Sequence, residues 1–507
     1  MKFNFTTIVI IIGIFFFVNG FSEQKKNNTP YPKDSVVATV GKIKITIDEY
    51  LNGYEYGPAF YKRSKDSKKN YLDYLIREKL LALDGYFRNL DTTRSVVETF
   101  NAFRDDLATE ELFKEEILSK VNPTEAEIDT AARQKLIDVE LQWLYSPSQE
   151  EIVNLQDSLR SGVEFQKLFN KQLNDSVAVD DRALKSSRYH LGMKNPDLAK
   201  ITDILEIGKY SAPIKSNNGW YIILLKNFHY NLVITESEEA RVKNEARQAV
   251  IKKKMDELSD KYVNGLLLEQ NPAIKRKPFQ ILRSYLGMYQ LSQEKYKEWQ
   301  LSEKLKEALN EYNNVERKDY SKISLIEIRD YNISLEDFLI WYRVRDQYLK
   351  FDKRSFAQYS RSLEQMVWRM VRDRILSQAA SLKGYYDRKV VKDQSKLWMD
   401  KILYGTVKDE IINSIIIENK EIKLINDSTK SISQSEFIEN ELTKKLFRKI
   451  NELKKKYLIK INEEILAKIK VSDEENPNAI ELYTVKRGGL IPRTPYPAID
   501  NYWARWQ

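Results

Sequence analysis

Few side chains in this 507-residue sequence could do covalent or metal chemistry. There is no cysteine, and the only histidines are His190 and His229. A chain without thiols has no disulfide, no thiol nucleophile and no iron–sulfur ligand, and two histidines are too few for a typical zinc site. The sequence also lacks the glycine-rich phosphate-binding loops of nucleotide enzymes. We therefore expect no metal and no cofactor.

The best-patterned stretch is residues 138–230. Residues 139–145 and 219–225 have the apolar patterns of buried strands, and Asn217 and Asn218 before Gly219 indicate a turn. Residues 152–169 have the spacing of an amphipathic helix. The segments YHLGM (189–193) and LEIGKYSAP (205–213) lie between the two strands.

In this order, the segments resemble a parvulin-type peptidyl-prolyl isomerase domain. Gly162-Val163-Glu164-Phe165 matches the family's Gly-x-x-Phe, and residues 205–213 match its Leu-x-x-Gly-x-x-Ser-x-Pro. Leu191-Gly192 fits the family's glycine turn, with Met193 in place of an aromatic residue. With the hairpin and helix before this stretch and the long helix after it, residues 36–270 resemble the SurA-like periplasmic chaperones.

The resemblance implies a cleft with two facing histidines near a cysteine or aspartate, and this chain departs from that pattern. The first histidine position falls on Gln142 or Trp143, depending on register, and the second falls on Tyr221. The cysteine-or-aspartate position falls near Asp175 and Ser176. Since no bond is made or broken in prolyl isomerisation, catalysis depends on a preorganised polar cleft. We therefore predict no catalytic residue here.

An aromatic cleft could instead bind polypeptide. The predicted substrate-binding side chains are Trp143, Met193, Trp220 and Tyr221. Tyr221 could equally be a plain core residue. We expect His190 to be a surface residue of the turn and His229 to lie beyond the last strand, so that neither replaces a missing histidine.

The elements that flank this stretch occur twice. Residues 37–45 predict a hairpin around Gly41, and Thr46 with Glu49 has the pattern of a helix capping box. At an offset of 288 residues, Ser334 falls on Thr46 and Asp337 falls on Glu49. Each copy continues into a helix and then a long charged helix, at 238–266 and 444–470. We interpret this as an internal duplication, the alternative being two unrelated strand–helix units.

The predicted fold class is α+β and predominantly helical: a SurA-like helical chaperone core with an inserted small parvulin-like α/β domain, and a second helical core-like repeat at the C-terminus. The predicted segments are 1–22 (signal peptide), 23–35 (linker), 36–137 (first helical copy), 138–230 (degenerate parvulin-like domain), 231–275 (long helix returning to the first copy), 276–473 (second helical copy) and 474–507 (Pro-rich aromatic tail, docked as a strand or mobile).

The N-terminus has the pattern of a secretory signal peptide. Lys2 precedes an eleven-residue apolar run at 8–18, and Gly20 and Ser22 are small residues suited to cleavage near 20–22. An uncleaved anchor is the alternative, but an anchor needs about 20 apolar residues. We expect a periplasmic protein without stable membrane insertion after cleavage.

The net charge of +9 is spread along the chain and no nucleic-acid motif accompanies it, so we expect no nucleic-acid partner. The predicted function is an ATP-independent periplasmic holdase. Its partners would be unfolded polypeptides, in particular outer-membrane β-barrel precursors. The alternatives are an active prolyl isomerase and an adaptor of an envelope secretion machine.

Overall fold

The computed structural model of the chain describes residues 29–55, 57–174, 177–216, 219–232, 235–312, 319–346, 349–425, 434–471 and 496–506. The predicted signal peptide, its cleavage site, residues 23–28 of the linker and most of the tail lie outside the described residues. Clustering of contacts divides the chain into two compact units, residues 121–256 and the remainder. Within the described ranges, no helix combines the length and apolar character needed to cross a membrane.

The described part of the chain is predominantly helical and contains three small sheets, which confirms the predicted class. The helices are α1 (Ile47–Glu55), α2 (Ala59–Lys62), α3 (Ser67–Phe87), α4 (Arg94–Glu116), α5 (Glu125–Lys135), α6 (Gln149–Arg160), α7 (Phe165–Lys171), α8 (Arg188–Lys194), α9 (Pro196–Thr202), α10 (Glu236–Gln270), α11 (Arg276–Gln290), α12 (Gln293–Glu298), α13 (Leu301–Asn310), α14 (Leu335–Arg343), α15 (Phe356–Leu382), α16 (Lys389–Ile425), α17 (Gln434–Lys456) and α18 (Glu463–Lys468). The strands are β1 (Val36–Val40), β2 (Ile43–Thr46), β3 (Ile137–Ser146), β4 (Ala183–Ser187), β5 (Ile214–Ser216), β6 (Gly219–Tyr230), β7 (Ala273–Ile274), β8 (Ser324–Glu327), β9 (Asn332–Ser334) and β10 (Ile459–Ile461).

Both repeats begin with the hairpin and capped helix that the sequence predicts. In the second repeat the capping box is complete, because Ser334 and Asp337 each bond the other's backbone N–H. In the first repeat only half of it forms: the N–H of Glu49 donates to Thr46 Oγ1 at 3.2 Å. The Glu49 carboxylate turns instead to Lys79, 2.7 Å away. The β8–β9 hairpin forms without the glycine that the first copy has at its turn.

Each hairpin gains a third strand from a distant part of the chain. The sheet orders are β10-β1-β2 and β7-β8-β9. The N–H of Asn462 donates to the carbonyl of Val37 at 2.8 Å, and the N–H of Lys275 donates to the carbonyl of Leu325 at 2.9 Å. Since Leu325 follows Val37 by the repeat offset of 288, the two bonds are equivalent, which agrees with an internal duplication.

The long helices are therefore exchanged between the repeats. Helix α10 leads into β7, which pairs in the second repeat, and α17 leads into β10, which pairs in the first. We predicted that residues 231–275 return to the first copy, but their end, β7, pairs in the second repeat. We also predicted that the second copy extends to residue 473, but α17 and β10 belong to the first repeat. The reason is burial, because Leu446, Ile450 and Leu453 of α17 lie in the core of the first repeat.

The duplication continues through the helical hairpins at an offset of 295 residues. Asn89 after α3 and Gly384 after α15 both adopt the left-handed conformation, with φ of 57° and 75°. Helices α4 and α16 each begin five residues later. Gly85 lies inside α3, two residues before its end. The predicted helix over 444–470 likewise ends at Lys456 and is followed by β10 and α18.

Two cores organise the larger unit. Lobe A comprises β1, β2 and α1–α3 with α16–α18 and β10, and lobe B comprises β8, β9, α14 and α15 with β7 and α11. Helix α4 packs on α15 and α16 packs on α3, so each lobe takes a helix from the other repeat. The described part of the tail, residues 496–506, docks on lobe A through a short 3-10 helix, Asn501–Trp506, and leaves Trp503 fully buried.

Candidate functional site

The parvulin-like segment forms a four-stranded sheet of order β4-β3-β6-β5 in the unit of residues 121–256. Its central strands pair antiparallel, and Tyr145 lies opposite Tyr221. Gly219 has a φ of 136°, and a side chain there would lie 2.6 Å from the carbonyl oxygen of Ser146. Only glycine therefore lets β6 begin this close to β3, which sets the register of Tyr221.

The register decides which of the two candidate residues, Gln142 or Trp143, shares a face with Tyr221. Because side chains alternate along a strand, Trp143 and Tyr145 on β3 share a face with Tyr221 on β6. Trp143 and Tyr221 both pack on the same apolar cluster, which includes Leu191 and Ile223. Trp143 therefore lies on the face of Tyr221, one same-face position along β3 from Tyr145, which is directly opposite Tyr221.

Gln142 points to the opposite face. It pairs with Leu224, is 6% exposed, and its Oε1 atom has no hydrogen-bond partner among the described residues. That face packs against α6 and α7. Gln142 is therefore a buried polar residue of the core rather than part of a cleft with Tyr221.

The face of Trp143 and Tyr221 offers rings and one cation. The Tyr145 and Tyr221 rings are 5.2 Å apart between centroids, and the Arg182 guanidinium lies 4.8 Å from the Tyr145 centroid. Burial, with a smaller contribution from Tyr145, raises the pKa of Tyr221 above its usual value. The Tyr221 phenol is therefore neutral at pH 7 and can donate a hydrogen bond but cannot act as a base.

The loop before β5 is fastened to β6 by backbone and hydroxyl bonds. The N–H of Ser211 donates to the carbonyl of Ile223 at 2.8 Å, and Ser211 Oγ accepts from the N–H of Ile223 at 3.0 Å. Gly208, with a φ of 82°, donates its N–H to Leu225 at 2.7 Å. The matched family motif of residues 205–213 thus has a structural role, holding the loop along the edge of β6.

The other predicted binding residues do not join this face. Trp220 alternates to the α6–α7 side of the sheet, where it packs with Ile222. Met193 is 41% exposed at the end of α8. The segment 189–193 is helical rather than the predicted turn, and the predicted helix over 152–169 is broken at Gly162 into α6 and α7. Asp175 and Ser176 lie outside the described residues.

Both histidines are exposed. His190 lies in the first turn of α8, where Nδ1 is 3.0 Å from Ser187 Oγ, and burial together with nearby lysines lowers its pKa. His229 lies within β6, opposite Asp138, so its predicted position beyond the strand is wrong. His190 lies on a helix, and His229 is paired with Asp138 rather than with Trp143 or Tyr145.

A second candidate surface lies on α11 and was missed by sequence reasoning. Tyr285, Met288 and Tyr289 are 38%, 48% and 67% exposed, and we call them the α11 patch. Their spacing places them on one side of the helix, while Ile281, Leu282 and Leu286 face the core of lobe B. The sequence signal for this patch is a second set of apolar residues on α11, in addition to the set that packs in the core.

No protein-family model matches the chain. A sequence search finds a parvulin-like peptidyl-prolyl isomerase of Rickettsia felis that is 23% identical over 249 residues, covering 45% of this chain and 87% of the relative. This similarity confirms the resemblance predicted from the motifs of residues 138–230.

Similar solved structures include the peptidylprolyl isomerase PrsA of Bacillus anthracis and a SurA-like chaperone of Campylobacter jejuni. The first is 16% identical with a TM-score of 0.23 and covers 38% of this chain and 96% of its own. The second is 16% identical with a TM-score of 0.20 and covers 46% and 98%. At these TM-scores the structural likeness carries no weight for function.

Proposed function

We propose that the chain is an ATP-independent chaperone that holds unfolded proteins, and that its parvulin-like sheet binds polypeptide without isomerising it. The observation that carries this proposal is the face of Trp143, Tyr145 and Tyr221. Trp143 and Tyr221, which we assign to the two family histidine positions, are both aromatic and lie on one face of the sheet.

The energetics explain why this replacement matters. Uncatalysed prolyl isomerisation takes about 10–100 s. A thousandfold acceleration requires about 4 kcal/mol of additional transition-state stabilisation. In a site where no bond is broken, that stabilisation comes from polar groups fixed around the twisting imide. Rings at positions 143 and 221 replace those groups with apolar surface, which suits binding better than catalysis.

The α11 patch supports holding of unfolded chains. Tyr285 and Tyr289 are in edge-to-face contact, with ring centroids 5.3 Å apart. The two exposed rings therefore form one continuous aromatic surface. Clustered exposed aromatics with polar edges are typical of binding surfaces. An unfolded polypeptide supplies many apolar side chains for such a surface.

The absence of a nucleotide-binding motif in the sequence limits the affinity that a useful holdase can have. Without ATP, clients leave by spontaneous dissociation, and the dissociation rate sets most of the affinity. A micromolar complex corresponds to about −8 kcal/mol. We therefore expect weak, multivalent contacts rather than a single deep pocket for clients.

The site of action in this proposal is the periplasm, and the clients are envelope proteins, outer-membrane β-barrel precursors in particular. The predicted signal peptide supports export, and the similarity to a parvulin-like isomerase supports a role in protein folding. An active prolyl isomerase is the second candidate, favoured by that relative and by the Arg182 guanidinium beside Tyr145.

Aggregation of an unfolded outer-membrane β-barrel protein, followed by light scattering, tests the proposed function. We expect scattering to fall as the chain is added, with full suppression near equimolar amounts. The matched control is an equal mass of a folded protein without exposed apolar patches. No suppression at a fivefold excess, or capture of one stoichiometric partner from an envelope extract, would favour the adaptor alternative.

A further inference from the structure

The duplication creates two equivalent pockets, one in each lobe, and they differ in what fills them. Each lies where a helix of one repeat packs on a helix of the other. At the offset of 295 residues, six pairs of lining residues correspond, among them Glu78 with Asp373, Asp400 with Asp105, and Lys401 with Asp106. The pocket in lobe A shows what this kind of site can hold.

In lobe A the pocket is filled by the chain's own aromatic tail. Glu78 is 5% exposed, and its Oε1 accepts from the backbone N–H of Asp500 at 2.9 Å and from Trp503 Nε1 at 3.0 Å. Lys401 also donates to Glu78, at 2.7 Å. The remaining cavity is only about 20 Å³. A buried carboxylate thus anchors a peptide segment through one backbone and one indole N–H.

In lobe B a cavity of about 180 Å³ remains at the equivalent position. Asp373 replaces Glu78, and its Oδ2 accepts from Trp341 Nε1 at 2.9 Å. Its Oδ1 is buried and has no hydrogen-bond partner among the described residues. A buried carboxylate oxygen without a hydrogen-bond partner is destabilising, and a donor from a ligand would offset that cost.

The size and walls of the cavity define the ligand. An engineered apolar cavity of about 150 Å³ holds a benzene molecule, so the lobe B cavity is large enough for one aromatic ring. Trp341, Met370 and Ile340 supply apolar surface. A single ring from a peptide fits this volume, whereas a folded domain or a long side-chain cluster does not.

The charge of the cavity defines what accompanies the ring. Five of the described lining residues carry carboxylates; Glu98 is paired with Arg94 and Arg343, and Asp106 with Arg345, whereas Asp373 keeps one oxygen without a hydrogen-bond partner. In lobe A the tail carboxylate of Asp500 is neutralised by Lys408, at 2.5 Å, and accepts from Tyr404. The equivalent lobe B residues, Phe113 and Thr109, carry no charge. Lobe B therefore disfavours an acidic segment and favours a basic one.

We propose that the lobe B cavity binds a client segment in which an aromatic side chain is adjacent to an arginine or lysine. The ring occupies the volume between Trp341 and Met370, and the cation pairs with the Asp373 carboxylate, whose Oδ1 has no partner among the described residues. This inference rests on the proposed chaperone function and assigns one of its binding sites. The tail in lobe A is the internal precedent for how such a segment docks.

The test uses the full chain at pH 8 and short fluorescent peptides as probes. A peptide Gly-Ser-Trp-Arg-Ser-Gly should bind about tenfold more tightly than Gly-Ser-Trp-Glu-Ser-Gly, since a charge-assisted pair contributes on that scale. Asp373→Asn keeps the shape of the side chain and should weaken the arginine peptide by about tenfold. Asp330→Asn removes an exposed carboxylate of the second repeat and should leave the affinity unchanged.

A cavity-filling variant provides the second arm. Ala102 lines the cavity, and Ala102→Phe should abolish peptide binding while the aggregation assay still reports a functional α11 patch. Equal affinity for the two peptides, or an unchanged affinity in both variants, would overturn the inference while leaving the chaperone proposal intact. Loss of aggregation suppression in the unmodified chain would instead refute the proposed function itself.

Discussion

The backbone N–H of Asn462 donates a 2.8 Å hydrogen bond to the carbonyl of Val37, so the described ends of the chain share one sheet. The equivalent bond from Lys275 to Leu325 completes the other sheet. The two repeats are therefore not independent domains that follow one another along the sequence. Each is completed by a helix and a strand from a distant part of the chain, which couples the folding of the first hairpin, residues 36–46, to that of residues 434–461.

Leu446→Ala should destabilise the first hairpin although it lies in a distant helix. Leu446 is fully buried in the lobe A core, and a buried Leu→Ala substitution costs about 2–5 kcal/mol. Chemical denaturation measures the loss, and hydrogen exchange of residues 36–40 locates it. The control is Leu458→Ala, which is 67% exposed and should change stability by less than about 0.5 kcal/mol. Unchanged protection of 36–40 in Leu446→Ala would contradict the exchanged arrangement.

Tyr221→His should not create isomerase activity. Trp143, which we assign to the other histidine position, lies on the same face and would remain unchanged. Groups that act as a unit do not restore catalysis singly. Loss of the ring contact with Tyr145 should cost about 0.5–1.5 kcal/mol. A protease-coupled assay on a proline peptide and a thermal melt measure the two effects. Tyr230→His, an exposed position on the same strand, is the matched control. A large gain in rate without loss of stability would mean that the cleft is still assembled for catalysis.

Asp373→Asn should reduce the loss of stability that accompanies a rise in pH from about 4 to about 7. Burial raises the pKa of Asp373 to about 7 from an ordinary 3.8, against the opposing effect of Arg372 and Arg345, and Asp106 raises it further. A raised carboxyl pKa contributes stability that is present below about pH 4 and is lost as pH rises through about 7.

Asparagine does not ionise and avoids that loss. The melting temperature of Asp373→Asn relative to the unmodified chain should therefore increase between pH 5 and pH 8. Asp330→Asn controls for removal of one negative charge at an exposed site. A difference between variant and parent that stays constant across this range would show that Asp373 is ionised throughout.

Tyr289→Ser should weaken aggregation suppression without affecting the fold. Tyr289 is 67% exposed, so its removal costs little stability but takes away much of the α11 patch. We expect about twice as much chain to be needed for half-suppression of light scattering, reflecting the loss of one apolar anchor. Tyr230→Ser, at 47% exposure in the other unit, is the control. Identical suppression curves for the unmodified chain, Tyr289→Ser and Tyr230→Ser would show that the α11 patch does not bind unfolded protein.

Local patterns were good guides to local structure. Alternation and capping signals predicted the β1–β2 hairpin and the Ser334 cap because those features depend on a few adjacent residues. The buried run after Gly219 forms β6 as predicted. The face shared by Trp143 and Tyr221 could not be fixed, since a shift of one residue in register moves a side chain to the other face.

Long-range pairing was the part that sequence could not supply. The apolar stripe of α17 shows that the helix needs a packing partner. The side chains of Leu446 and Ile450 do not specify which repeat provides it. The pocket pair was hidden for the same reason, because Glu78 and Asp373 become equivalent only at an offset that differs from that of the hairpins. The α11 patch was missed because exposed and core tyrosines look alike in sequence.

The most direct measurement is refolding of a cysteine-free protein whose slow phase is limited by proline isomerisation, with the chain added at ratios from 1:100 to 2:1. The account predicts that the yield of refolded protein rises up to about equimolar chain and that the slow rate constant never increases at substoichiometric amounts. A slow phase accelerated several-fold at 1:100 would show turnover, and would identify the aromatic face of Trp143 and Tyr221 as a catalyst rather than a binding surface.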